Sequence, residues 1–141
     1  MCTYMREKVL RIPMEKLDFS FVRAAMKAKF PDEELDDDFE YYLEKALPNL
    51  FDYGTRGKFQ LAPTTEEFID YVIDYEYDAE GEYGKTRALS DNEKAKYLPI
   101  FQQIDPSVNM DWVRLVEFCW YNCSEAPNYY DHMNDPFYDE V

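Results

Sequence analysis

Apolar residues recur along this chain with more than one period, and the period sets which element each segment is expected to form. Residues 3–12 (TYMREKVLRI) contain no Pro or Gly and carry β-branched and aromatic residues, which suits a strand. Asp18 or Ser20 can cap a helix running to Phe30, with Phe21, Val22, Ala25 and Met26 on one face and Pro31 ending it. Leu35, Phe39, Tyr42, Leu43, Ala46 and Leu47 repeat at intervals of three and four, which predicts a second helix over residues 33–47, closed by Pro48. Two Gly in residues 53–61 (YGTRGKFQL) predict a turn with a short strand.

Two capping boxes mark further helix starts. In the first, Thr64 is the N-cap and Glu67 its reciprocal partner, ahead of a face made by Phe68, Ile69, Val72, Ile73 and Tyr75. In the second, Ser90 and Glu93 open a helix that Pro99 should kink or divide, after an exposed loop around Gly81 and Gly84. Residues 110–121 hold Trp112, Val113, Leu115, Val116, Phe118, Cys119 and Trp120, apolar nearly all round, which predicts a central helix. The expected class is therefore mainly α. It is a compact single domain of four to five helices over residues 1–122, with a small β-hairpin or short sheet, and an α+β arrangement is the alternative. Residues 123–141, rich in acids, aromatics, Asn and Pro, are expected to form a C-terminal tail.

Composition adds that the chain folds. With 141 residues, 46% hydrophobic and 18% aromatic, it has the material for one core and lacks the profile of a disordered acidic segment. Thirty acids against 15 Lys and Arg give a net charge of −15, which repels nucleic acid and anionic lipid and favours cationic protein surfaces. The charge is polarised: residues 1–29 hold seven cations and three acids, residues 30–141 eight cations and 27 acids. Three cysteines, Cys2, Cys119 and Cys123, form no disulfide framework, and no apolar run approaches a membrane span or a secretory signal. A reducing, cytoplasmic setting is expected.

Two segments are acidic without a single compensating cation. Residues 32–44 hold eight acids and residues 66–82 another eight. On helices, Glu33, Asp37, Glu40 and Glu44 would form one row and Glu67, Asp70, Asp74 and Asp78 a second. An ordinary solvated helix face mixes signs, because opposite charges four residues apart help and like charges cost a similar amount. The macrodipole accounts for Asp32 to Asp38 near a helix start but not for Glu44, Asp74 or Asp78. Such rows, interleaved with Tyr71 and Tyr75 and with Tyr41, Tyr42 and Tyr77, would imitate a run of phosphates and engage a basic groove; a plain solvated acidic face is the simpler alternative. In size, charge and these two segments the chain resembles the small acidic DNA mimics of phages and mobile elements, the anti-restriction and anti-CRISPR inhibitors. The likeness implies an inhibitor that occupies the nucleic-acid groove of a nuclease or other DNA- or RNA-binding protein. That class shares no motif, so no site residue carries over, and the net-positive first 29 residues depart from a uniformly acidic mimic.

A second candidate surface is the tail, where Tyr129, Tyr130, Asp131, Asp135, Phe137, Tyr138, Asp139 and Glu140 alternate aromatics with acids. It suits an acidic adaptor, or an immunity-type protein that neutralises a basic toxin. Catalytic signals are weak. His132 is the single histidine, Cys119 and Cys123 lack structural-zinc spacing, no nucleophile elbow surrounds Ser90, Ser107 or Ser124, and Gly54–Gly57 reads as a turn rather than a phosphate loop. The expectation is a binding protein with no cofactor and no metal, and a small enzyme with a carboxylate site is the third possibility.

Overall fold

The computed structural model describes residues 2–36, 39–62, 67–77 and 85–123. Its centre is a five-stranded antiparallel sheet rather than a helical bundle. The strands are β1 (Cys2–Pro13), β2 (Phe59–Leu61), β3 (Phe68–Tyr77), β4 (Lys85–Ala88) and β5 (Arg114–Cys123), in the order β2-β3-β1-β5-β4. Three helices are present among the described residues: α1 (Ser20–Lys29), α2 (Phe39–Ala46) and α3 (Asp91–Phe101). The fold is α+β, which corrects the expectation of a mainly helical domain of four to five helices.

The correction has a definite origin. Residues 68–77 and 110–121 were both expected to be helical, and they supply β3 and β5. Each is dense in β-branched and aromatic residues, which pack well on a pleated surface. A strand buried on both faces is apolar at consecutive positions, so Phe68-Ile69 and Val72-Ile73 fit a helical stripe and a two-faced strand equally well. The acids spaced four apart within residues 66–78 disfavour the helix and are harmless in a strand. Only Met110–Trp112 keeps a helical turn, of the 3-10 type. Of the second predicted helix, the shorter α2 forms.

Other expectations hold. β1 covers the predicted strand, α1 stops just before Pro31, and β2 lies within residues 53–61. The Ser90 box forms in full: Glu93 N–H donates to Ser90 Oγ at 3.2 Å and Ser90 N–H to Glu93 Oε1 at 2.9 Å. Pro99 sits inside α3. Thr64, the other predicted cap, lies outside the described residues, and Glu67 directly precedes a strand.

β1 is the central strand, paired with β3 on one side and β5 on the other. Its even-numbered residues Leu10 and Ile12, with Ile69 and Tyr71 of β3, belong to the core shared with the helices. There Val22 and Met26 of α1, Phe39 and Leu43 of α2 and Phe101 of α3 are buried. The odd-numbered residues Met5 and Val9 lie with Val72, Val116 and Phe118 in a second buried cluster on the opposite face. One irregularity divides β3. Lys8 pairs with Asp74 but Val9 with Val72, so Ile73 is an extra residue in a β-bulge.

Candidate functional site

Alternation along β3 separates the acids expected to form one row. Asp70 faces the second cluster, where it is fully buried, and it pairs across the ladder with Arg11. Arg11 Nε donates to Asp70 Oδ1 at 2.8 Å and Nη2 to Oδ2 at 3.0 Å, a bidentate pair with both side chains out of solvent. The guanidinium also lies 5.1 Å from the Phe68 ring centre and 4.7 Å from that of Phe118, within cation–π range. Tyr71 turns to the helix side and meets Phe59 at 5.1 Å between ring centres. Beyond the bulge, Asp74 accepts from Arg56 Nε at 2.8 Å and from the Tyr75 N–H at 3.0 Å. The Arg56 bond, followed by the Tyr75 amide, holds the Asp74 carboxyl below its usual range. Glu67 is exposed at the entrance to β3, and Asp78 lies outside the described residues. Of the expected row Glu67, Asp70, Asp74, Asp78, therefore, Asp70 is sealed inside and Asp74 is matched by the protein's own arginine.

A polar patch surrounds the buried pair. Gln60 Nε2 donates to Glu7 Oε1 at 2.6 Å, and the Gly54 N–H donates to Gln60 Oε1 at 2.8 Å. Glu7, Gln60 and Asp70 are all buried. Partial burial, and then the nearby Glu7 and Asp70 carboxylates, push the Tyr53 hydroxyl far above its usual pKa, so it stays protonated. Gly54 has φ +64°, and a Cβ there would lie 2.8 Å from Tyr75 Cζ, so Tyr75 is seated against a backbone that only glycine permits. With no exposed surface, Glu7 and Asp70 cannot touch a protein partner, and the patch acts as a polar brace within the sheet.

The first acidic segment fares differently. Asp32, Glu33, Glu34 and Asp36 are exposed in the turn between α1 and α2, and Glu44 is exposed on α2. Asp36 is matched by Arg23 at 2.7 Å, and Lys27 Nζ donates to the Glu33 carbonyl at 3.0 Å. No ion pair to the carboxylates of Asp32, Glu33, Glu34 or Glu44 forms among the described residues. Tyr41 stands 60% exposed on α2, three residues before Glu44, with the Lys45 ammonium 5.0 Å from its ring centre. Glu40 shares α2 one turn before Glu44, whereas Asp37 lies outside the described residues.

Sequence reasoning missed a third surface. Beyond Leu10 the helix-side face of the sheet turns polar, and Arg6, Lys8, Asp74, Glu76 and Glu117 line a cleft of about 220 Å³. Arg6 and Lys8 each reach Glu117 at 3.9 Å. The available signal was the even-numbered positions of β1, cationic at Arg6 and Lys8 and apolar at Leu10 and Ile12. The cleft carries both signs, so it favours neither a purely basic nor a purely acidic ligand.

Charge partitions unevenly. The described residues hold all 15 cations and 19 of the acids, a net of −4, whereas residues 37–38, 63–66, 78–84 and 124–141 hold 11 acids and no cation. The tail residues Tyr129, Tyr130, Asp131, Asp135, Phe137, Tyr138, Asp139 and Glu140 lie outside the described residues, as does His132. Among the described residues no three His, Cys, Asp or Glu are placed to hold a metal ion, and no helix is long and apolar enough to cross a membrane. Comparison with family models, curated proteins and solved structures finds no match to this chain.

Proposed function

We propose that this protein binds a cationic surface of another macromolecule and blocks it, as an acidic inhibitor seated in the basic nucleic-acid groove of a nuclease or other DNA- or RNA-binding protein. The observation that carries this reading is the exposure of Asp32, Glu33 and Glu34 before α2 and of Glu44 on it, none with an ion pair among the described residues, together with the exposed ring of Tyr41 on α2. An acidic face with a stiff amphipathic ring offers both long-range attraction and contact area. Asp70 and Asp74 are no part of this interface, since each already has an arginine. The reading includes the likeness to DNA-mimic inhibitors, a cytoplasmic setting, and a binding role rather than a catalytic one.

The test is affinity capture from a host lysate at low and high salt, followed by competition with duplex DNA for the captured protein. Replacing Asp32, Glu33, Glu34 and Glu44 by Asn or Gln should weaken capture at least tenfold at low salt while Tm stays within about 2 °C, as expected for surface changes. Capture that survives both high salt and the fourfold neutralisation rules the reading out.

A second reading is favoured by the charge partition, because most of the net charge lies outside the described frame. In it, an acidic adaptor or immunity-type protein engages its basic partner through residues 124–141. Changing Asp131, Asp135, Asp139 and Glu140 to amides would then abolish capture where the fourfold change at residues 32–44 does not.

A further inference from the structure

The register of β1 against β5 places Cys2 directly opposite Cys123. Directly opposed residues of an antiparallel pair share a face, with Cα atoms about 4.5 or 5.5 Å apart depending on the pair type. Both values fall within the roughly 4.4–6.8 Å that a disulfide spans. Cys119 is opposite Arg6 and lies four residues from Cys123 along β5. At about 3.4 Å per residue that is about 14 Å, too far for a bond to either other cysteine without breaking the sheet. Three cysteines allow three pairings, and the register leaves one.

We infer that Cys2 and Cys123 form an oxidation-dependent disulfide, a redox-responsive modification site that clamps one end of the sheet, with Cys119 left as a thiol. The clamp has a physical purpose at that position. β3 begins to pair with β1 at Met5, and β4 pairs with β5 only over residues 114–117. Residues 2–4 and 121–123 therefore form a two-stranded ribbon beyond the body of the sheet, among the described residues. Such a ribbon is marginal by itself. A covalent link at its tip also closes a loop spanning most of the chain, which restricts the unfolded state strongly. In a reducing compartment the pair stays a dithiol, and the ribbon is free to fray.

The chemistry balances with glutathione disulfide as oxidant. One cysteine thiolate attacks it and expels one glutathione thiolate. The second cysteine thiolate attacks the resulting mixed disulfide at the protein sulfur and expels the other glutathione. Two protein thiols thus lose two protons and two electrons, and the oxidant becomes two glutathione thiols.

The full chain is incubated with reduced or oxidised glutathione, and intact mass, chymotryptic peptides and Tm are measured. Chymotrypsin is chosen because it cuts after Trp120 and Tyr121 and so separates Cys119 from Cys123. The expected result is a loss of about 2 Da on oxidation, a linked peptide pair containing Cys2 and Cys123, and a Tm gain of at least about 5 °C. Hydrogen exchange at residues 2–4 and 121–123 should slow in the oxidised form. Cys119→Ser should keep all of these, whereas Cys2→Ser and Cys123→Ser should lose them while reduced-state Tm is unchanged. A link through Cys119, glutathione adducts without an internal bond, or a linked pair that leaves both Tm and exchange unaltered would each overturn the inference.

Discussion

Arg11 and Asp70 are each fully buried and each holds the other's charge, so neither can be removed without leaving an uncompensated ion in the sheet. Asp70→Asn should cost about 3–5 kcal/mol, read as a shift of the urea midpoint at constant slope. Replacing both partners together, Arg11→Met with Asp70→Leu, should recover most of that loss, because an apolar pair of similar volume needs no desolvation. Gly54 gives a second check. Gly54→Ala should destabilise by more than about 1 kcal/mol from its left-handed φ alone, and the approach to Tyr75 adds to that. Neither site was legible in the linear pattern. Asp70 reads there as one of several acids at helical spacing, and Arg11 lies 59 residues away, joined to it only by sheet register.

At the scale of elements, local signals survived where the chemistry itself is local. The Ser90 box is one such case, and it carries a pH dependence. Arg87, donating at 2.7 and 2.8 Å, and then the Ser90 amide lower Glu93 from 4.5 to about 2. A carboxyl depressed in the folded state stabilises the protein above its unfolded value, and that contribution fades as pH falls through the folded one. Tm should therefore drop between about pH 4.5 and 2 more steeply in the native protein than in Glu93→Gln, with the two curves measured in parallel. Ser90→Ala should lower stability by about 1 kcal/mol at neutral pH. β3 and β5 were illegible for the opposite reason. Their apolar residues serve two faces of a central sheet, and what distinguishes that from a helix is the presence of partner strands far away in the chain.

For the whole molecule, net charge proved a poor guide to surface. A chain at −15 contains a described frame near neutrality, with arginines committed to Asp36, Asp70, Asp74 and Glu93. Of the two acidic segments, one supplies exposed acids around the start of α2, and the other gives Asp70 and Asp74 to the protein's own arginines while Glu67 and Glu76 stay exposed. The placement of β1 has one more outcome. β1 precedes in the chain the strands that pair on both its flanks, and Leu10 meets Leu115 only after roughly a hundred further residues exist. A nascent chain must carry that unsatisfied hydrophobic strand while those residues are made, a window in which holdase chaperones find their clients. Refolding from urea should accordingly run on the millisecond-to-second timescale of non-local β proteins, and Val116→Ala in β5 should slow it if the β1–β5 pairing forms in the transition state. Stopped-flow fluorescence of Trp112 and Trp120 would measure both.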